Sequence, residues 1–405
     1  MLRLKYIFSL FILLVLAIPF AHADDFDSVY SLRGFGISRY IVGPQAAGMG
    51  GVSLSLMDPR YLNTLNPAQF AALLDVRTTA SFLSQRLNVS ASEGNFKSYY
   101  SNFSSMAGGF TIKKNIGIQF GIVPETVSRF HLESANTIGD IAYTKSVEKN
   151  GGLNTFYVGT GFKILPRVYL GTRFDFLFGK IAETWKLDFA DPSFRDGKNV
   201  YTSKAWGINV GLGTIVQPTH WLSIGASYWP SRTMRLRSEQ KYYQPQIIRS
   251  VSTNWTYPSK YGAGFSVKLK QRWLLGVDYW TQQWSKFAID GQPTSDMTDE
   301  RRLSLGAELS GSKDIFSPFL KQISLRAGFY NHRLNVLGFQ GNEKITENVG
   351  TFGFGVPFGR GRGSVDLAFE AGTRGHLSTK SYKESIFRVR VFITAGEVWF
   401  VNVKK

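Results

Sequence analysis

From Asp75 onward the chain keeps a period of two, and it does so fourteen times. Ile323, Leu325, Ala327 and Phe329 alternate with Ser324, Arg326 and Gly328. Leu303, Leu305, Ala307 and Leu309 alternate with Arg302, Ser304, Gly306 and Glu308. Val365, Leu367 and Phe369 alternate with Asp366, Ala368 and Glu370, and Val389, Val391 and Ile393 with Arg388 and Arg390. Successive strand residues point to opposite faces, so each run is a strand with one apolar face. The expected strands cover 75–82, 103–113, 115–123, 153–164, 167–178, 204–216, 221–229, 261–269, 272–280, 302–309, 322–330, 350–356, 364–370 and 386–393.

A soluble sandwich alternates too, so the connections carry the decision. They are alternately short and long. Strands two and three are joined by Lys113-Lys114-Asn115, four and five by Leu165-Pro166-Arg167, and eight and nine by Lys270-Gln271; 310–321 is the longest turn of this set. Between them fall 83–102, 124–152, 179–203, 230–260, 281–301, 331–349 and 371–385. Short turns at one end, long loops at the other and an even strand count predict an all-β, 14-stranded antiparallel transmembrane β-barrel.

The N-terminus reads as an export signal. Arg3 and Lys5 precede an apolar run, Ile7 to Phe20, and Ala21-His22-Ala23 fits a cleavage site, giving a signal peptide over 1–23. No later stretch approaches the roughly 18 apolar residues of a membrane helix, so a membrane location requires a closed barrel. The chain has no cysteine, which leaves stability to pairing and packing, and 32 Phe, 18 Tyr and 9 Trp suit aromatic girdles. The formal charge of +18 is spread over strands and loops without a compact Lys/Arg run, so nucleic acid is not expected as a partner. A basic surface among outer-membrane lipids is the plainer account.

One stretch does not alternate. Residues 45–70 hold Ala46, Ala47, Gly48, Met49, Gly50 and Gly51, then Asp58-Pro59 and Asn66-Pro67-Ala68. Glycines and X-Pro pairs mark tightly turned backbone. It precedes the first wall strand at the short-turn end, so it can fold into the lumen as a plug. The expected domains are therefore a leader and hatch over 24–74, a barrel over 75–393 and a C-terminal tail over 394–405.

The polar sides of the strands place Arg77, Arg173, Asp175, Asp278, Arg302, Glu308, Arg326, Asp366, Glu370, Arg388 and Arg390 in the lumen. Asp366 and Glu370 stand on the strand next to Arg388 and Arg390 and are expected to pair with them, because unpaired buried charge is costly. Pro124 ends or kinks strand three. A kink there, beside Gly108 and Gly109 of strand two, would open the wall sideways. Catalysis has little support. His131, His220, His332 and His376 fall in or beside expected loops, far apart. No nucleophile motif and no metal-ligand spacing is present, so neither an enzyme nor a cofactor or metal is expected.

The run Ala47-Gly48-Met49-Gly50-Gly51-Val52, followed by Asn66-Pro67-Ala68, resembles the N-terminal hatch of FadL-type outer-membrane long-chain fatty acid transporters. The tail from Glu397 to Lys405 is similar to the ending of their relatives in Bacteroidetes-like bacteria. Gln69 departs from the glycine expected after Asn66-Pro67-Ala68. The resemblance implies capture of a hydrophobic ligand at the outer loops of a Gram-negative outer membrane, passage into the lumen and lateral release when the hatch rearranges. Phe189, Phe194, Trp229, Tyr242, Tyr243, Trp255 and Trp284 are then candidates for outer capture. The family also includes barrels similar to PorV, a secretion component, which implies secretion-system or cargo proteins as alternative partners.

Overall fold

The computed structural model describes residues 27–397, except 33, 93, 244–245, 271, 295–296, 315, 339–342 and 378–381. The expected signal peptide and residues 398–405 of the expected tail lie outside the described residues.

Fourteen antiparallel wall strands close into a barrel. They are β1 (Val76–Ala91), β2 (Gly94–Lys113), β3 (Ile116–Ile138), β4 (Ile141–Leu165), β5 (Val168–Phe189) and β6 (Gly197–Val216). Then come β7 in two parts (Leu222–Trp229 and Arg232–Tyr243) and β8 in two parts (Gln246–Tyr257 and Lys260–Leu269). The rest are β9 (Trp273–Gln282), β10 (Glu300–Leu309), β11 (Ser324–Leu337), β12 (Lys344–Phe358), β13 (Gly363–Arg374) and β14 (Lys383–Glu397). Each pairs with its neighbours in sequence, and β14 returns to β1 with Glu397 opposite Val76 and Lys383 opposite Ser90. The last wall strand thus runs to Glu397, four residues past the expected barrel boundary. Pro230 and Pro258 split β7 and β8, because proline has no N–H to give the ladder.

Most of the long loops expected from sequence are not loops. β3 and β4 continue as one hairpin to Ile138 and Ile141, and β1 and β2 pair out to Ala91 opposite Gly94. Alternation fades in these extensions because residues such as Glu133, Ser134, Asn136 and Thr137 face water on both sides, yet the backbone ladder goes on. Nearer the short turns the outward face is apolar. Phe103, Phe120, Phe174, Ile208, Phe265, Leu303, Phe329 and Phe352 are all exposed there. Trp273 flanks that band at the short-turn end, and Trp206, Tyr228, Tyr261 and Tyr279 lie farther along. An apolar outer belt with aromatic borders is a lipid-facing surface. Among the described residues no helix is long and apolar enough to cross a membrane.

The interior is filled by the chain's own N-terminal segment, residues 27–74. It starts at the long-hairpin end, where Ser28 bonds to Glu384, and reaches the short-turn end at Leu73. Apolar clusters along its length seat it. Val29, Tyr30 and Ile37 pack on Leu87, Phe130 and Leu334. Met49, Val52 and Leu56 pack on Ala368 and Phe392. Leu54 meets Trp229 and Trp280, and Phe70 meets Val123 and Tyr157. Burying each large apolar side chain contributes about 1.5–3 kcal/mol.

Candidate functional site: the occupied lumen and an opening in its wall

The inner segment makes two backbone turns at the residues that first marked it out. Pro44–Gly48 forms a short helix, α1, with proline in its first turn, where the missing N–H costs nothing. Gly50 and Gly51 follow with φ of +67° and +94°, a region costly for side-chain-bearing residues. Asn66 uses both ends of its amide. Its oxygen accepts from the Ala68 backbone N–H at 3.1 Å, and its nitrogen donates to the carbonyl oxygens of Leu54 at 2.6 Å and Thr214 at 3.1 Å. An aspartate could not donate there.

Both turns rest on glycine rows in the wall. Gly276, Gly306 and Gly328 are direct cross-strand partners on β9, β10 and β11. A Cβ at Gly306 would collide with the Met49 carbonyl, one at Gly328 with the backbone of Gly50, and one at Gly276 with Val52. Gly117, Gly161, Gly171 and Gly213 form a second row across β3 to β6. They lie under Phe70, Ala71 and Pro67, and Gly213 lies under Asn66 as well. Glycine within a strand weakens it, and close approach of another backbone is a physical reason to keep it.

The lumen charges hold the same segment. Asp278 accepts the backbone N–H groups of Ser53 and Leu54 at 2.6 and 2.8 Å. Arg302 donates to the Gly50 carbonyl at 3.1 Å, Gln119 to that of Asn63 at 2.9 Å, and Lys149 to that of Gly34 at 2.9 Å. Arg173 pairs with Asp175 at 2.6 Å and also reaches the Thr64 carbonyl. All eleven sequence-selected lumen charges are buried. Glu370 pairs with Arg388 at 3.2 Å and Arg390 at 2.6 Å. Asp366 does not join them. It pairs with Arg326 at 2.6 Å, and Arg326 also holds Glu308 at 2.8 Å and donates to the Tyr61 hydroxyl. Arg77 pairs with Asp75 and donates to the Arg60 carbonyl.

Sequence reasoning missed half of the larger network. Arg388 also holds Glu347 at 2.7 Å; Glu347 holds Arg374, and Arg374 holds Glu384. Glu384 accepts from the Ser28 hydroxyl and the Val29 N–H. Glu347, Arg374 and Glu384 lie in or beside regions expected to be loops, so their inward side could not be counted. His332 was missed for the same reason: it is buried on β11 and paired with Glu300 at 2.8 Å. Beside this network the lumen holds a cavity of about 30 Å³, room for a single water.

The wall opens at Pro124. β2 and β3 pair from Lys113–Ile116 up to Met106–Ile122 and then part. A bulge follows, where Pro124 opposes Asn154 and Thr126 opposes Leu153, with Glu125 left over. The N-terminal segment takes the place β2 has left: Ile37 and Ser38 pair with Val127 and Thr126. Behind the parting lies a cavity of about 530 Å³ lined by Phe103 and Ile122, which face outward, and by Ile41, Arg39 and Arg390, which face the lumen. Gly108 and Gly109 are not at this opening. They lie in the paired ladder below it, opposite Phe120 and Gln119. Of the outer capture candidates, Trp229 and Trp284 are fully buried, while Phe194 and Tyr243 are exposed.

The model of the BamG family matches residues 3–405. The chain belongs to the BamG family. No curated protein sequence matches this BamG-family chain. Solved structures share its shape. A FadL homologue of Pseudomonas aeruginosa aligns with 89% of the chain and 99% of its own length, at TM-score 0.60 and 12% identity. The P. putida toluene transporter TodX aligns with 89% of the chain and 99% of its own, at 0.57 and 13%. The Ralstonia pickettii toluene transporter TbuX aligns with 87% and 98%, at 0.54 and 15%. At such identities the likeness shows a common fold, and the BamG-family chain is a membrane β-barrel with the FadL-like fold.

Proposed function

We propose that this barrel transports hydrophobic, fatty acid-like small molecules across the outer membrane of a Gram-negative cell and releases them sideways into the lipid. In this reading residues 24–74 are the hatch, the long hairpins face outward and the short turns face the periplasm. The observation that carries it is the cavity of about 530 Å³ beside Pro124, whose lining passes from lipid-facing to lumen-facing residues. Its apolar lining, with Leu83, Phe103, Ile122 and Val123, suits a hydrocarbon chain, and Arg39, Arg129, Lys180 and Arg390 suit a carboxylate end. The similar structures include toluene transporters, which agrees with a hydrophobic ligand.

The test is mass spectrometry of small molecules carried by the detergent-purified protein, repeated with Ile41→Trp to fill the cavity. A co-purified apolar acid that disappears in Ile41→Trp supports the reading. Absence of any apolar ligand, together with a stable protein partner, overturns it.

One observation favours a second reading, a barrel that binds proteins. The hatch is seated on two glycine rows and clamped by buried charges, and a lumen so filled is what a fixed platform needs.

A further inference from the structure

The short-turn end carries a second cavity, of about 590 Å³, unrelated to the opening in the wall. Its roof is the inner segment, with Gln45, Ser55, Leu56, Met57, Asp58 and Arg60. Its sides are short turns. Lys268 lies near the end of β8 and Arg272 in the turn to β9, and Lys313 and Lys321 come from the longest of the short turns, between β10 and β11. Trp221 and His220 close the remaining side. Among the described lining residues the one carboxylate is Asp58, and Arg60 holds it at 2.7 Å. Lys313 shares the field of that one carboxylate with Arg60, and Lys268, Arg272 and Lys321 are left without another in the lining. Adjacent turns add Arg167 and Arg360.

Four like charges around one concavity repel each other, and a concave, partly apolar wall focuses their field outward. Such an arrangement lowers in energy when an anion enters. A lipid leaflet ends at the outward face of the wall, and this cavity lies inside the ring of strands beneath the inner segment. The anion must come from the aqueous side and reach inward.

We infer that this cavity is a docking site for an acidic segment of a protein partner at the short-turn end, with Lys268, Arg272, Lys313 and Lys321 binding its carboxylates and Trp221 packing on its stem. This site stands independently of the transport reading. It involves no residue of the opening beside Pro124.

The experiment measures fluorescence anisotropy of a labelled Glu/Asp-rich peptide with the full barrel in detergent. A Gln/Asn-rich peptide of equal length and vesicles containing phosphatidylglycerol are the comparisons. The acidic peptide is expected to bind at least tenfold more tightly than the neutral one, with affinity falling as salt rises. The combined variant Lys268→Gln, Arg272→Gln, Lys313→Gln, Lys321→Gln is expected to lose that preference. A control variant, Lys145→Gln, Lys186→Gln, Lys198→Gln, Arg237→Gln at the long-hairpin end, is expected to keep it. Heat-dependent gel mobility reports that each variant is a folded barrel. The proposal is overturned by equal binding of the two peptides, or by binding that survives the four short-turn substitutions. It is also overturned if the barrel prefers anionic vesicles to the peptide through those same cations.

Discussion

Gly171 of β5 lies against the backbone carbonyl of Pro67, so closely that a single added Cβ would overlap it. The wall strand and the inner segment are thus packed backbone to backbone. No side chain stands between them to be reshaped, and substitution has little room for relief.

Gly171→Leu is therefore expected to destabilise by about 1–3 kcal/mol or more, the usual cost of overpacking. Gly350→Ala, whose added Cβ would meet only the Ala371 carbonyl at 3.8 Å, is expected to be nearly silent. Thermal unfolding of the two purified barrels gives the comparison. Protease cleavage between residues 27 and 74 should rise in Gly171→Leu alone.

Arg326 ties β10, β11 and β13 together through Glu308 and Asp366, with all three side chains buried. Arg326→Ala leaves two carboxylates facing each other and is expected to cost about 3–5 kcal/mol. The triple change Glu308→Leu, Arg326→Met, Asp366→Leu should recover most of that loss, because the cost lies in the uncompensated charge. Denaturant unfolding of the variants decides it. Equal losses in the single and triple variants would show that the network contributes by something other than charge balance.

Ile37 and Val127 are cross-strand partners, and the chain has no cysteine to compete. Ile37→Cys with Val127→Cys should oxidise to one disulfide, given the short Cα separation of such partners. Since the cavity beside Pro124 exists with the segment in place, ligand binding there is expected to survive the cross-link. Loss of binding on oxidation, restored by reductant, would show instead that residues 37–38 must leave β3.

Pro124→Val restores an N–H to β3. The ladder between β2 and β3 is then expected to extend beyond Ile122, with about 1 kcal/mol gained for a new hydrogen bond. Uptake of a labelled fatty acid by cells making this variant should fall while barrel assembly stays normal. Unchanged uptake would remove the opening from the transport path.

The fold class and the count of fourteen strands were legible because lipid imposes alternation on one wall face and short turns punctuate it. The strand ends at the long hairpins were not. Beyond the apolar band both faces of β3 and β4 meet water, so the pattern dissolves while the hydrogen bonds persist to Ile138 and Ile141. That loss hid Glu347, Arg374 and Glu384. The oddness of Gly48 to Gly51 and of Asn66-Pro67-Ala68 was visible on the page, but its cause was not. Gly117, Gly161, Gly171 and Gly213 are scattered across the sequence, and they become a row only once register aligns them. The same holds for Asp366, whose partner Arg326 lies on a strand two places away rather than on β14.

The glycine rows bear on the order in which this protein is made. A wall so closely matched to its contents fits poorly around an empty interior. The seam between β14 and β1 joins residues about three hundred positions apart, and pairings of such separation carry the greatest loop-closure entropy and come late. The inner segment, synthesised ahead of every wall strand, is then the template on which successive strands are laid, and the seam shuts around it. Glu384 of the last strand meets Ser28 and Val29 of that first segment, so the final pairing also records that the template is in place.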